Sequence, residues 1–194
     1  MSAIRSFIAI DLPESLNDAL ERASKQLQEL LEGLPVRWVP VHNIHLTLKF
    51  LGDVSENNIP MIQSIVQSEA AQHRVFEISV GGFGVFPNMT RPRVLWTGVE
   101  APDELIHLQR RLDVETARLG YAPDQRNFNP HLTFGRISRN ASHNQIRQAS
   151  DLLRTHKIGF LGAARIDSVT LFRSDLGPDG AVYSKILTSE ITDE

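Results

Sequence analysis

Apolar residues along the chain fall into two kinds of segment, and the segments come in the same order twice. Residues 6–12, Ser-Phe-Ile-Ala-Ile-Asp-Leu, form a short apolar run closed by Pro13, which predicts a strand. From about Glu14 to Leu31 the apolar positions Leu16, Leu20, Ala23, Leu27, Leu30 and Leu31 step by three and four, the period of a helix with one buried face. Gly33 stops that helix. Residues 36–40 lead into a strand-like His45-Leu46-Thr47-Leu48, followed by a second helix for which Ser55 is the expected cap and by a strand over 76–86.

The second half repeats the order. A strand over 93–99 gives way at Ala101-Pro102 to a helix carrying Leu105, Leu108, Leu112 and Leu119. His131-Leu132-Thr133-Phe134 comes next, then a helix around Ile146, Ala149, Leu152 and Leu153, and a strand over 165–172. The interval from the proline to the motif histidine differs by only three residues between the halves. Phe86 and Phe172 each lie equally far beyond their histidine. A repeat of strand, helix, strand, helix, strand predicts a duplicated α+β unit whose copies pack about a pseudo-twofold axis. The expected organisation is one two-lobed domain over 1–194, with repeat units at roughly 6–86 and 93–172 and with 181–192 closing the fold.

Composition narrows the chemistry. The chain has 194 residues, 41% of them hydrophobic and 22% charged, the balance of a globular protein with a sizeable core. It has no cysteine, which removes disulfides, thiolate catalysis and cysteine-ligated zinc and fits a reducing cytoplasm. The first apolar run ends at Asp11 and is too short for a signal segment or a membrane span. A net charge of −3 argues against a broad footprint on long nucleic acid, so a nucleic-acid partner would be gripped locally.

The repeated motif is the strongest chemical signal. With seven histidines, nine threonines and twenty-two leucines, independent placement yields about 0.04 occurrences of His-Leu-Thr, and the chain has two. On a strand, residues two apart share a face, so His45 and Thr47 point one way while Leu46, Leu48 and Phe50 point to the core. By the same parity His131 and Thr133 lie together in front of Leu132 and Phe134. A pseudo-twofold axis would bring both His/Thr pairs to one cleft. Histidine titrates near pH 6.5, so one imidazole can act as base while the other acts as acid. Threonine hydroxyls can donate to anionic oxygens. These groups suit in-line displacement at a phosphodiester and call for no metal or other cofactor.

Competing chemistries find little support. A lone histidine on a half-buried strand is ordinarily structural, and His42, His73, His107, His143 and His156 sit in polar contexts that read as solvated. His42 precedes His45 by three residues, a spacing that invites zinc, but no third ligand follows at a recognisable interval. No G-x-x-x-x-G-K-[ST] phosphate loop, G-x-S-x-G elbow or G-x-G-x-x-G fingerprint is present. Gly81-Gly82-Phe83-Gly84 reads as a weakened strand or a bulge.

Two H-x-T-x motifs in duplicated halves, with FIAIDLP near the start, HLTLKFLGDV in the first copy, RPRVLWTGV in the middle and PHLTFGR in the second, closely resemble the two-histidine phosphoesterases. Within them the similarity is to the RNA 2′,3′-cyclic phosphodiesterase, or 2′-5′ RNA ligase-like, branch, and it runs over essentially the whole chain. The resemblance implies a bilobal α+β fold, with antiparallel sheets facing a central cleft and helices outside. It also implies hydrolysis of a terminal 2′,3′-cyclic phosphate to a 2′-phosphate. By motif position it makes His45 the proton donor, His131 the proton acceptor, and Thr47 and Thr133 phosphate ligands. The implied partners are RNA 3′ ends or small cyclic nucleotides, the expected state a monomer.

The two copies differ five residues past the histidine. Phe50 stands in the first and Arg136 in the second, where a guanidinium would add a fixed positive charge for a phosphate. Lys49 shares the parity of His45 and Thr47 and is expected to line the groove, with Arg91, Arg93, Arg126 and Arg139 as candidates for its mouth. Two alternatives stay open: a module that binds cyclic-phosphate or 2′-phosphorylated ends without turnover, and the reverse, 2′-5′ joining reaction.

Overall fold

Strand and helix boundaries follow the apolar periods closely, and they depart where local backbone chemistry intervenes. The computed structural model describes residues 3–125, 127–177 and 180–192. The elements are β1 (Ala3–Asp11), α1 (Asn17–Leu30), β2 (Val36–Trp38), β3 (His45–Ser55), α2 (Ile59–Ala70), β4 (Phe76–Phe86), β5 (Val94–Glu100), α3 (Asp103–Arg118), β6 (His131–Ile137), α4 (His143–Leu153), β7 (Phe160–Ile166), β8 (Ser168–Gly177) and β9 (Gly180–Glu190). None of the described helices is long and apolar enough to cross a membrane.

The predicted first helix begins as a 3-10 turn, Glu14–Leu16, because Pro13 holds an extended conformation at its start; the α-helix proper begins at Asn17. Its stripe of Leu20, Ala23 and Leu27 is buried. Ser55 does not cap the second helix: a 3-10 turn, Glu56–Asn58, leads into α2, and the Ser55 side chain accepts no capping bond. The one side-chain cap found among the described helices is at α4, where Ser142 and Gln145 form a reciprocal capping box.

Two antiparallel sheets result. One has the order β3-β1-β8-β9 and the other β2-β6-β5-β4-β7. The repeats therefore exchange their third strands: β4 of the first half pairs with β5 of the second, and β8 of the second pairs with β1 of the first. The exchange explains a misread segment. Residues 165–172, predicted as one strand, are the end of β7 in one sheet and the start of β8 in the other, with the change of sheet at Asp167. Helices are shared too, since α2 packs on β8 and β9 while α3 lies against α2 and β3. Leu46 and Leu132, directly behind the motif residues, are completely buried, each stabilising the fold by roughly 1.5–3 kcal/mol.

A matched irregularity decides what faces the cleft. In the first sheet Ala9 lies opposite Thr47 and Ile8 opposite Lys49, which leaves Leu48 as an extra residue. In the second Trp96 lies opposite Thr133 and Leu95 opposite Gly135, leaving Phe134 extra. Each bulge inverts the alternation of the residues that follow it, until in β3 a second irregularity at Leu51 restores the original faces. Phe50, expected in the core, is turned out and is 62% exposed, and Arg136 is turned onto the same face of its own sheet. Lys49 moves the other way. It does not line the groove; it is 4% exposed, and its Nζ donates to Asp113 Oδ1 at 2.5 Å and to the Ala122 carbonyl at 2.6 Å. Gly135 occupies the equivalent place, where a Cβ would stand 2.9 Å from the Trp38 ring. The Gly81–Phe83 stretch of β4 carries the expected bulge, with Gly82 at φ 77.

The buried Lys49–Asp113 pair gives the first expected outcome. Asp113→Ala strands an ammonium group in the interior and should cost about 3 kcal/mol or more in urea unfolding. Lys49→Met with Asp113→Ala removes both charges and should recover most of that loss. A cost below about 1 kcal/mol for the single variant would mean the pair is solvated.

Candidate active site

The two motif histidines are held in the same way. His45 Nδ1 lies 2.8 Å from the Asn43 carbonyl and His131 Nδ1 lies 2.7 Å from the Asn129 carbonyl, in each case the residue two positions earlier. A carbonyl only accepts, so each Nδ1 carries a proton and donates it. Nε2 of each ring is left outside that bond. Aromatic neighbours fix the planes: Phe7 stacks on His45 at 4.7 Å and Tyr183 meets it edge-on at 5.2 Å, while Phe86 meets His131 edge-on at 4.9 Å.

Burial pushes both imidazoles below the ordinary histidine range. For each, the bond to the backbone carbonyl works in the opposite direction and the Arg136 guanidinium adds to the lowering. His45 alone also feels a carboxylate, Asp11, which favours its charged form.

His45, Thr47, His131 and Thr133 line one cavity of about 180 Å³, together with Phe50, Arg136, Trp38 and Tyr183. It adjoins a larger space of about 630 Å³ that shares Thr47, Phe50, His131 and Arg136 and extends past Phe86, Arg93, Asn127 and Phe128. Arg136 has no carboxylate partner among the described residues, and burial and the nearby Arg37 both work against its charge. A guanidinium without a carboxylate partner beside two imidazoles and two hydroxyls has the chemistry to receive an anion. The described residues contain no group of three or more His, Cys, Asp or Glu placed to hold a metal.

The structure thus brings together the four motif residues and Arg136, and it takes Lys49 away. Arg93 borders the larger space, its guanidinium bound to the Ser138 carbonyl; Arg91 and Arg139 border neither space, and Arg126 lies outside the described residues. His156, expected to be solvated, is half-buried against Phe83 with no hydrogen-bond partner for its Nε2 among the described residues. Sequence reasoning missed Asp11, Tyr183, the Phe7 ring that stacks on His45 and the Phe86 ring that meets His131 edge-on. The repeated Asn-x-His was a usable signal for the carbonyl bonds, whereas Tyr183 belongs to a strand outside the repeat and carried none.

The LigT like Phosphoesterase family model matches the chain twice, over residues 10–96 and 98–183, once for each half. The chain belongs to this family. Curated relatives include the RNA 2′,3′-cyclic phosphodiesterase of Methanothermobacter thermautotrophicus, 37% identical over 181 residues that span 93% of this chain and 95% of the relative. The protein of the same name from Aquifex aeolicus is 31% identical over 188 residues, 96% of each chain. Among solved structures, TT0787 of Thermus thermophilus superposes with a TM-score of 0.83 at 28% identity, covering 98% of this chain and 99% of that one. Escherichia coli LigT complexed with 3′-AMP superposes with a TM-score of 0.78 at 25% identity over the same shares. As in those LigT-type neighbours, the fold here is a duplicated α+β unit.

In this family member the imidazoles should titrate below about pH 6.5 when the cleft is empty, and saturating inorganic phosphate should raise both, since an anion favours the imidazolium. NMR titration of ring-labelled histidine checks this. A value above the ordinary range for either ring without ligand would contradict the burial described.

Proposed function

We propose that the chain hydrolyses the terminal 2′,3′-cyclic phosphate of RNA to a 2′-phosphate, taking RNA 3′ ends or small cyclic nucleotides as substrates. The observation that carries this is the matched pair of imidazoles, each with Nδ1 tied to a carbonyl and Nε2 available, on one cleft with an unpaired arginine. The names borne by the curated relatives support the same substrate.

In the proposed reaction a water oxygen attacks phosphorus while His131 Nε2 takes its proton. The bond from phosphorus to the ribose 3′-oxygen breaks, and His45 Nε2–H supplies the proton that turns this oxygen into a hydroxyl. Thr47 and Thr133 donate to the non-bridging oxygens, and Arg136 supplies a fixed charge against the phosphate. The product keeps its phosphate on the 2′-oxygen, and no metal or organic cofactor is called for. Both histidines come from one chain, which fits action as a monomer, and the absence of cysteine fits the cytoplasm.

Turnover of an oligonucleotide ending in a 2′,3′-cyclic phosphate tests the proposal; binding without turnover would favour the end-binding module. His45→Ala and His131→Ala should each lose about 10² to 10⁴ in rate, or about 3 to 5 kcal/mol. With sulfur in place of the 3′-oxygen the leaving group needs no proton, so His45→Ala should recover most of its deficit and His131→Ala should not. Rescue of His131→Ala instead would reverse the two roles. Because burial lowers both imidazoles, kcat/KM should follow a bell whose maximum lies on the acid side of about pH 6.5. A rate that climbs steadily to pH 9 would point to hydroxide as the nucleophile.

A further inference from the structure

The two halves of the cleft are built alike, and they differ in what lies directly across the strand pair from each histidine. In the β1–β3 ladder His45 is opposite Asp11; in the β5–β6 ladder His131 is opposite Gly98. The registers make these positions equivalent, because Ala9 opposite Thr47 matches Trp96 opposite Thr133. One imidazole therefore faces a carboxylate across its ladder and the other faces a hydrogen atom.

Asp11 and His45 also share a cavity of about 170 Å³, bordered by His42, Tyr183 and Lys185 and not by Thr47. Lys185, from β9, reaches Asp11 Oδ2 at 2.6 Å, and both side chains are partly exposed. The titratable and charged groups around His45 are Asp11 from β1, His42 from the preceding turn, Tyr183 and Lys185 from β9, Arg136 from β6, Arg37 from β2 and His131 across the cleft. Of these only Asp11 carries a negative charge at neutral pH. The lysine on Asp11 Oδ2 draws off part of the carboxylate's field without cancelling it, since a partly exposed pair is screened by water.

We propose that Asp11 is a positioning residue that makes the two matched histidines unequal, favouring the imidazolium at His45 over that at His131 and thereby assigning His45 the acid role, with Lys185 moderating the effect. This rests on the reading of His45 and His131 as an acid–base pair. Asp11 touches no reacting atom; it sets which ring carries the proton when the anionic substrate arrives. The direction agrees with the carboxylate's influence on His45, which has no counterpart at His131.

The test combines ring-labelled histidine NMR titration with the pH profile of kcat/KM on a 2′,3′-cyclic nucleotide, for wild type, Asp11→Asn and Lys185→Met. In Asp11→Asn the His45 titration should fall by about 0.5 to 1 pH unit, the alkaline limb of the profile should move down with it, and His131 should stay in place. Lys185→Met should shift His45 the opposite way, and Asp11→Glu should restore it in part. On the 3′-thiolate substrate, which needs no acid, the Asp11→Asn profile should coincide with wild type. An unmoved His45, or equal movement of both histidines, would overturn the proposal. If wild type does not hydrolyse the cyclic nucleotide, the functional reading fails, while the titration still decides what Asp11 does to His45.

Discussion

Each half of the chain gives its third strand to the other half's sheet, and the cleft depends on that exchange. Because β4 completes the sheet of β5 and β6, and β8 completes the sheet of β1 and β3, neither repeat has a finished sheet of its own. The buried faces of both sheets belong to one continuous apolar cluster that includes Leu46, Leu95, Leu132 and Leu171. Loosening one sheet therefore removes partners from the other. The opposite, cleft-side faces are held to a fixed relation by the same pairing, and they carry the histidines.

On that scaffold the bulges at Leu48 and Phe134 do the sorting. Without them Arg136 would point into the core and Lys49 into the cleft; with them the cleft gains a guanidinium and an exposed phenyl ring, and the interior takes an ammonium group. The interior position is tolerable only because Asp113 and the Ala122 carbonyl receive the charge. In the other half the same position is glycine, since β2 packs close there and leaves no room for a Cβ. One backbone irregularity, used twice, thus carries two different side-chain solutions.

These features explain what was legible in the chain beforehand. The helices, the duplication and the motif pair could be read because period and repetition are written in apolar spacing that survives in a single sequence. Arg136 was placed in the cleft for its charge, whereas strict alternation would have buried it. Lys49 and Phe50 were misplaced because a bulge needs one residue too many on one strand relative to its partner, and the partner's register is not visible locally. The strand exchange was hidden for a similar reason: residues 165–172 look continuous, although Asp167 separates two sheets. The carboxylate across from His45 lies far from it in sequence and becomes its neighbour only through the ladder.

The central claim is that two imidazoles, one from each half, serve a single in-line displacement at one phosphorus, without a covalent intermediate. The stereochemical course tests this most directly. A 2′,3′-cyclic phosphorothioate of one configuration at phosphorus, hydrolysed in ¹⁸O-labelled water, reports whether one displacement or two occurred. Inversion, with a single ¹⁸O in a 2′-phosphorothioate product, is the expected result. Net retention would require two displacements and a phosphorylated side chain, and would contradict a cleft that works by proton transfer alone.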